Sequence, residues 1–123
     1  MEKGLTHTSC TEVKAENLAK SLDSGDLEVF ATPAMAALME NAAMLAVADH
    51  LPIGSTTVGS LLQISHNRPS ALGEKVSATA VLEEIEGRKL TFAVQAVDSK
   101  GIIGEGRHVR YVVDVQKFMA KLA

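Results

Sequence analysis

Tryptophan is absent from this 123-residue chain, tyrosine occurs once, phenylalanine three times and cysteine once. Four aromatics (Phe30, Phe92, Tyr111 and Phe118) offer no platform for stacking bases or sugars, so the 46% hydrophobic fraction must build its core from Ala, Val, Leu, Ile and Met. A lone Cys10 excludes an intrachain disulfide and any cysteine-cluster zinc site, and it suits a reducing compartment. Basic residues are also scarce: 12 Lys and Arg against 15 Asp and Glu leave a net charge of −3, with no basic run longer than Arg88-Lys89. Without a basic footprint, nucleic acid is not an expected partner. No apolar stretch reaches the 18 or more residues of a membrane span, and the polar N-terminus has no apolar signal region. The expected location is the cytoplasm, with no membrane partner.

What is present suffices for one core. At 13.0 kDa, a folded monomer exposes roughly 6,300 Å² of the roughly 19,000 Å² presented by its unfolded chain. No repeat, low-complexity tract or Pro/Gly/Ser linker divides the sequence, so residues 1–123 are expected to form a single domain.

The two halves differ in pattern. Residues 33–49, PAMAALMENAAMLAVAD, consist of strong helix formers, with Thr32 positioned to cap the helix and Pro33 placed at its first position. Its only polar side chains are Glu40, Asn41 and Asp49, so the helix is expected to be buried nearly all round. After the Pro52–Gly54 break, runs of period two rich in Val, Ile and Thr predict strands at 57–67, 73–86, 89–98 and 102–115. The short turns between them require antiparallel pairing. Upstream, Leu5–Val13 reads as a further strand and Ala15–Leu22 as a short amphipathic helix, while Phe118–Leu122 reads as a terminal tail. The expected class is α+β, with the antiparallel sheet wrapped around one long central helix.

Three residues are candidates for chemistry. Glu40 interrupts an otherwise apolar helix; a carboxylate so placed is either a hydrogen-bonded edge residue or a nucleophile or general base. His66 ends the run LLQISH before Asn67-Arg68-Pro69, where proline ends regular pairing and leaves an imidazole at a strand end. Such an imidazole is either structural or a proton carrier near neutral pH. Thr32 is ordinary helix grammar as a cap, yet a helix start also gathers free N–H groups that favour an oxyanion. Gly59 marks either a bulge or a close approach of the backbone to a ligand. His7, His50 and His108 share no metal-ligand spacing, and no metal is expected; His50 is placed at the helix C-terminus. Arg68, Lys75, Arg107 and Arg110 are read as phosphate contacts for a ligand or as a solvated strand face.

The segments GDLEVFATPAMAALMENAA, VGSLLQISH and IGEGRHVRYVVDVQKF, in that order, resemble the fluoroacetyl-CoA-specific thioesterase-like branch of the hotdog-fold thioesterases. The resemblance implies a hotdog fold and hydrolysis of a small or medium acyl-CoA thioester. It also implies a functional set consisting of a Thr that opens the long helix, a Glu eight residues further on and a downstream His, positions filled here by Thr32, Glu40 and His66, with Gly59 as the matching backbone glycine. Phe30 and Asn41 are the expected pocket-shaping residues. Coenzyme A enters as part of the substrate and leaves as product, and no resident cofactor is implied. Two departures reshape the pocket: the tight SGDLEV turn replaces the aromatic lid of the fluoroacetate-specific member, and Asn41 stands where that member has an aromatic residue. The tetrad Arg107-His108-Val109-Arg110 departs from a THER-like pattern and is assigned no catalytic role.

Helix geometry adds a constraint. Eight residues at about 1.5 Å each put Thr32 and Glu40 roughly 12 Å apart along one axis, beyond side-chain contact. If both serve one site, they belong to different chains, and a homodimer with two sites at the subunit interface is expected. Two other readings keep the fold but change the role: a hydratase or dehydratase of acyl thioesters, and a non-catalytic protein that binds acyl-CoA or another small ligand. The first normally needs an Asp–His pair near the helix start, which this sequence lacks; release of free thiol separates hydrolysis from the second.

Overall fold

The computed structural model describes residues 1–123. Five strands, β1 (Thr6–Glu12), β2 (Ser55–His66), β3 (Lys75–Glu86), β4 (Lys89–Asp98) and β5 (Gly101–Asp114), form one sheet in the order β1-β3-β4-β5-β2. All pairs are antiparallel, as the short turns require for β3–β4 and β4–β5. Gly73, Gly87 and Gly101 adopt positive φ at the turns, which lets adjoining strands start and stop cleanly.

The long helix, α1 (Thr32–Val47), packs mainly on β1 and β3 and more lightly on β4 and β2. Met35, Met39, Ala42, Ala43, Ala46 and Val47 form its buried stripe. With Phe30, Leu82, Leu90, Phe92 and Ile103, they make the aliphatic core expected of an aromatic-poor chain. Complete burial of the helix, expected from its composition, does not occur in the single chain. The sheet covers one side only, leaving Ala37 and Leu45 exposed. The chain's surface, 7240 Å², exceeds the roughly 6,300 Å² expected for this mass.

Three local expectations are corrected. The helix cap is Ala31, whose side chain cannot bond, and Thr32 is already helical, which moves Pro33 to the second position. Residues 15–22 hold only a short 3-10 turn at Ala15–Asn17, because Ala19 and Lys20 instead donate backbone hydrogen bonds to Val29 and Leu27. The expected tail is a short helix, α2 (Val115–Ala120), whose start is capped by Asp114 accepting a hydrogen bond from the Lys117 N–H.

Candidate active site

Two clusters of polar side chains form where α1 meets β2. The first joins the start of α1 to the end of β2. Thr32 Oγ1 and His66 Nδ1 are 2.7 Å apart, so the hydroxyl freed from capping is engaged by the imidazole. Phe30, 1% exposed, stands edge-on to the His66 ring at 6.5 Å between centroids. His66 Nε2 is buried with no hydrogen-bond partner. Burial lowers the His66 pKa below its ordinary 6.5, an effect partly offset by the Arg68 backbone. The imidazole is thus held neutral near pH 7 and can accept a proton. Ala19, Val29, Phe30, Thr32, His66 and Arg68 line a cleft of about 250 Å³ here.

The loop after His66 is anchored firmly. The backbone N–H groups of Asn67 and Arg68 donate to Ile103 O, the Arg68 side chain donates to Lys100 O at 2.9 Å, and Ser70 Oγ donates to Asp98 Oδ2 at 2.7 Å. Gly104, paired with His66, leaves room for Met35; a Cβ there would come within 2.8 Å of the Met35 thioether. Sequence position therefore fixes His66 through its strand end, but the anchors come from β4 and β5.

The second cluster surrounds Glu40, half-buried near the middle of α1. Gly59 lies beside it: a Cβ on Gly59 would meet Glu40 Oε2 at 3.0 Å, His108 Cε1 at 3.3 Å and Arg110 Nη1 at 3.5 Å. Of the two sequence readings of Gly59, the bulge is present, between Gly59 and Leu61 of β2, and the backbone's close approach is to Glu40. Arg110 corrects the expectation of a solvated strand face: it is 7% exposed, and His108 is 1% exposed. Arg110 donates through Nε to Thr57 Oγ1 at 2.8 Å and through Nη2 to Thr57 O at 2.9 Å. His108 Nδ1 lies 2.7 Å from Leu61 O, which only accepts, so Nδ1 carries the proton and Nε2 accepts from Arg110 Nη1 at 3.1 Å. Burial lowers the pKa of His108; the Leu61 carbonyl and Glu40 act upward, and Arg110 adds to the lowering. Burial also lowers that of Arg110, against the opposing field of Glu40.

Thr32 and His66 therefore meet within one chain, whereas Glu40 and Gly59 belong to a separate cluster. Phe30 lies beneath the first cluster. Asn41 faces β1, where its Oδ1 accepts from Ser9 Oγ at 2.7 Å, and lines a different cleft of about 290 Å³ with Thr11, Asn17 and Leu38. Sequence reasoning missed His108 and Arg110 as parts of the Glu40 cluster. Their i, i+2 spacing on one strand was the available signal, since alternation directs both side chains to the same face.

A curled antiparallel sheet about one central helix, matched by solved thioesterase structures over nearly the full chain, defines a thioester hydrolase of the hotdog class. The chain belongs to the fluoroacetyl-CoA-specific thioesterase family, whose profile matches residues 13–116. It is 40% identical over 95 residues to a fluoroacetyl-CoA thioesterase of Streptantibioticus cattleyicolor, covering 77% of this chain and 68% of that protein. The solved structure of the fluoroacetyl-CoA thioesterase FlK superposes with a TM-score of 0.92 at 34% identity, covering 99% of this chain and 95% of that one. A mutant of FlK in complex with fluoroacetate and CoA superposes at 0.90 with 33% identity, covering 96% and 99% of the two chains. A hypothetical protein of Thermus thermophilus, a thioesterase superfamily member, superposes at 0.90 with 26% identity, covering 98% and 90%.

Proposed function

We propose that this chain hydrolyses a small or medium acyl-CoA thioester to the free acid and coenzyme A, using Thr32, Glu40 and His66. The observation that carries the reading is the Thr32–His66 hydrogen bond, which sets a neutral imidazole and a hydroxyl at the mouth of one cleft. Water adds across the acyl C–S bond: oxygen joins the acyl carbon, the thiolate leaves, and the proton released by water ends on sulfur. His66 is suited to deliver that proton, Thr32 to hydrogen-bond the reacting carbonyl at the helix start, and Glu40 to act as nucleophile or as base toward water. Coenzyme A is substrate and product, and the chemistry calls for no metal or resident cofactor.

The separation of the two clusters supports a homodimer. His66 and Gly59 are seven residues apart on β2, about 23 Å at 3.3 Å per residue, so one chain does not bring Glu40 to its own Thr32–His66 pair. Strand β2 is an edge strand with 12 residues and one free side. A two-fold axis passing between Leu62 and Gln63 would pair two such edges antiparallel and set Gly59 of one protomer opposite His66 of the other. The exposed apolar side of α1 and the excess surface of the single chain suit the same association. A cytoplasmic location is part of the proposal, on the ground of the single exposed thiol, Cys10. No helix is long and apolar enough to cross a membrane. The reading carries no preference for fluorinated acyl groups, because Phe30 is the one aromatic near the cleft.

Thiol release from a panel of acyl-CoAs tests the proposal. Wild type releases thiol from short acyl chains, and Glu40→Gln and His66→Ala abolish it; binding without release, or release unaffected by both substitutions, overturns the reading.

A further inference from the structure

The five most exposed large hydrophobic side chains are Ile53, Leu122, Leu27, Leu72 and Met119, between 56% and 105% exposed. They fall into two groups at the two ends of β2. Ile53, Met119 and Leu122 lie before its first residue, because the Val115 N–H donates to Gly54 O and ties the start of α2 to the turn that carries Ile53. Leu27 and Leu72 lie beyond its last residue, where an antiparallel bridge between Val29 and Ala71 brings their two segments together. Single apolar residues on a surface need no explanation, but two clusters at opposite ends of one free edge do.

The two groups sit among charges of opposite sign. Val115, Met119 and Leu122 repeat at i, i+4 and i+7 through α2 and the turn after it, and Lys117 and Lys121 flank that stripe. Around Leu27 the chain runs Asp23-Ser24-Gly25-Asp26-Leu27-Glu28, which supplies three carboxylates. None of these five charges has an ion-pair partner in its own chain, whose one ion pair joins Lys14 to Glu16. A basic apolar patch and an acidic apolar patch at opposite ends of an edge strand satisfy one another, twice over, when two copies meet about a two-fold axis. The pairing of β2 edges proposed above makes the meeting specific: its register, carried past the strand ends, sets Ile53 of one protomer opposite Leu72 of the other.

We propose that the Ile53 turn and helix α2 of each protomer dock on the Leu27–Leu72 patch of the other, and that this contact walls the mouth of the Thr32–His66 cleft. This inference rests on the two-fold pairing of β2. The apolar side chains form the centre of the contact, and Lys117 and Lys121 meet Asp23, Asp26 and Glu28 at its rim. Ser24 and Val29, on either side of Leu27, and Pro69, just before Leu72, line the cleft with Thr32 and His66. A helix seated on the patch therefore closes one side of the opening, which a single chain leaves to water.

The test is sedimentation velocity on the full chain, read beside thiol release at the same chain concentrations. Leu72→Asp and Met119→Asp, both at exposed side chains, are each expected to raise the dimer Kd at least about tenfold. Lys117→Glu together with Lys121→Glu raises it similarly, and adding Asp26→Lys and Glu28→Lys to that chain restores the Kd to within about threefold of wild type. This charge exchange keeps the proposal testable should an apolar-to-Asp variant fail to fold. In each weakened variant thiol release follows the dimer fraction and returns at high chain concentration. Variants with the wild-type Kd, a charge exchange without recovery, or full thiol release from a monomeric variant overturn the docking. A wild type that is monomeric at every concentration defeats the two-fold pairing itself, whereas a dimeric wild type beside unaffected variants defeats only the docking.

Discussion

Thr32 Oγ1 and His66 Nδ1 lie 2.7 Å apart across 34 residues of sequence, and that bond takes the hydroxyl away from the helix end it was expected to cap. The pair has separable effects on stability and activity. A capping Thr contributes about 1 kcal/mol. Because Ala31 holds the cap position, Thr32→Ala is expected to change unfolding free energy by less than about 0.5 kcal/mol while lowering kcat at least about tenfold. Thr32→Ser keeps the hydroxyl and most of the activity. Urea denaturation and thiol-release kinetics on the same preparations check both halves; a stability loss of 1 kcal/mol or more with unchanged kcat contradicts the assignment.

The neutral state of His66 is expected to set the acid side of the pH profile if the imidazole serves the reaction as proposed. Burial holds its pKa below the ordinary 6.5, so the imidazole remains a proton acceptor throughout the neutral range. The acid limb of kcat/KM is expected to bend below pH 6.5. An inflection above 7 would show that a different group limits the rate.

Stability should fall with acid in two stages. His66 and His108 have folded pKa values below 6.5, so the folded chain binds fewer protons than the unfolded chain once the pH drops under that value. Their contribution is complete above about pH 6.5 and is lost as the pH falls through the folded values, at no more than about 1.4 kcal/mol per pH unit for each histidine. Asp98 acts lower. Burial pushes its pKa up, but the Ser70 hydroxyl, the Lys100 backbone N–H and the Arg68 and Lys100 charges together bring it below 3.8. Its contribution persists above 3.8 and disappears beneath that. Chemical denaturation at pH 8, 7, 6 and 5 checks the first stage; stability that stays level or rises over that descent refutes it.

Two glycines of the β2–β5 pair should respond differently to the same added methyl group. At Gly59 a Cβ meets the flexible end of Glu40 at 3.0 Å, so Gly59→Ala is expected to leave the fold intact and displace the carboxylate, lowering kcat. At Gly106 a Cβ runs into the backbone carbonyl of Gln63, which cannot yield without parting the strands. Gly106→Ala is expected to cost about 3 kcal/mol or more. Thermal melts and kinetics of the two variants separate a site effect from a folding effect.

Mixing inactive subunits tests the shared site. If Glu40 of one protomer completes the Thr32–His66 pair of another, a heterodimer of Glu40→Gln and His66→Ala chains has one intact site and one doubly defective site. After subunit exchange at equal amounts, activity should return to about a quarter of wild type, since half the dimers are mixed and each carries one of two sites. No recovery, with exchange verified by mass, would place all three residues in one chain.

Periodicity and local chemistry carried much of the fold. The apolar helix, the period-two strands and their glycine turns fall within two residues of the boundaries read from the sequence, because each depends on near neighbours. The turn at residues 15–17 and the helix α2 were misread because tertiary hydrogen bonding to Val29 and Leu27 overrides weak propensity in the first, and a single Asp114 cap starts the second. Thr32, Glu40 and His66 were named as candidates through their spacing in a known pattern, and the structure brings Thr32 and His66 into contact. His108 and Arg110 were passed over, because a charged residue on a strand is solvated unless the other strands say otherwise.

The sequence by itself determined the elements, the aliphatic core and the residue types available for thioester chemistry, all consequences of local pattern and composition. Only the tertiary structure decided which of those residues meet. It brought Thr32 to His66, kept Glu40 with Gly59 and buried Arg110 beside His108, because strand order and register join positions that chain distance leaves independent.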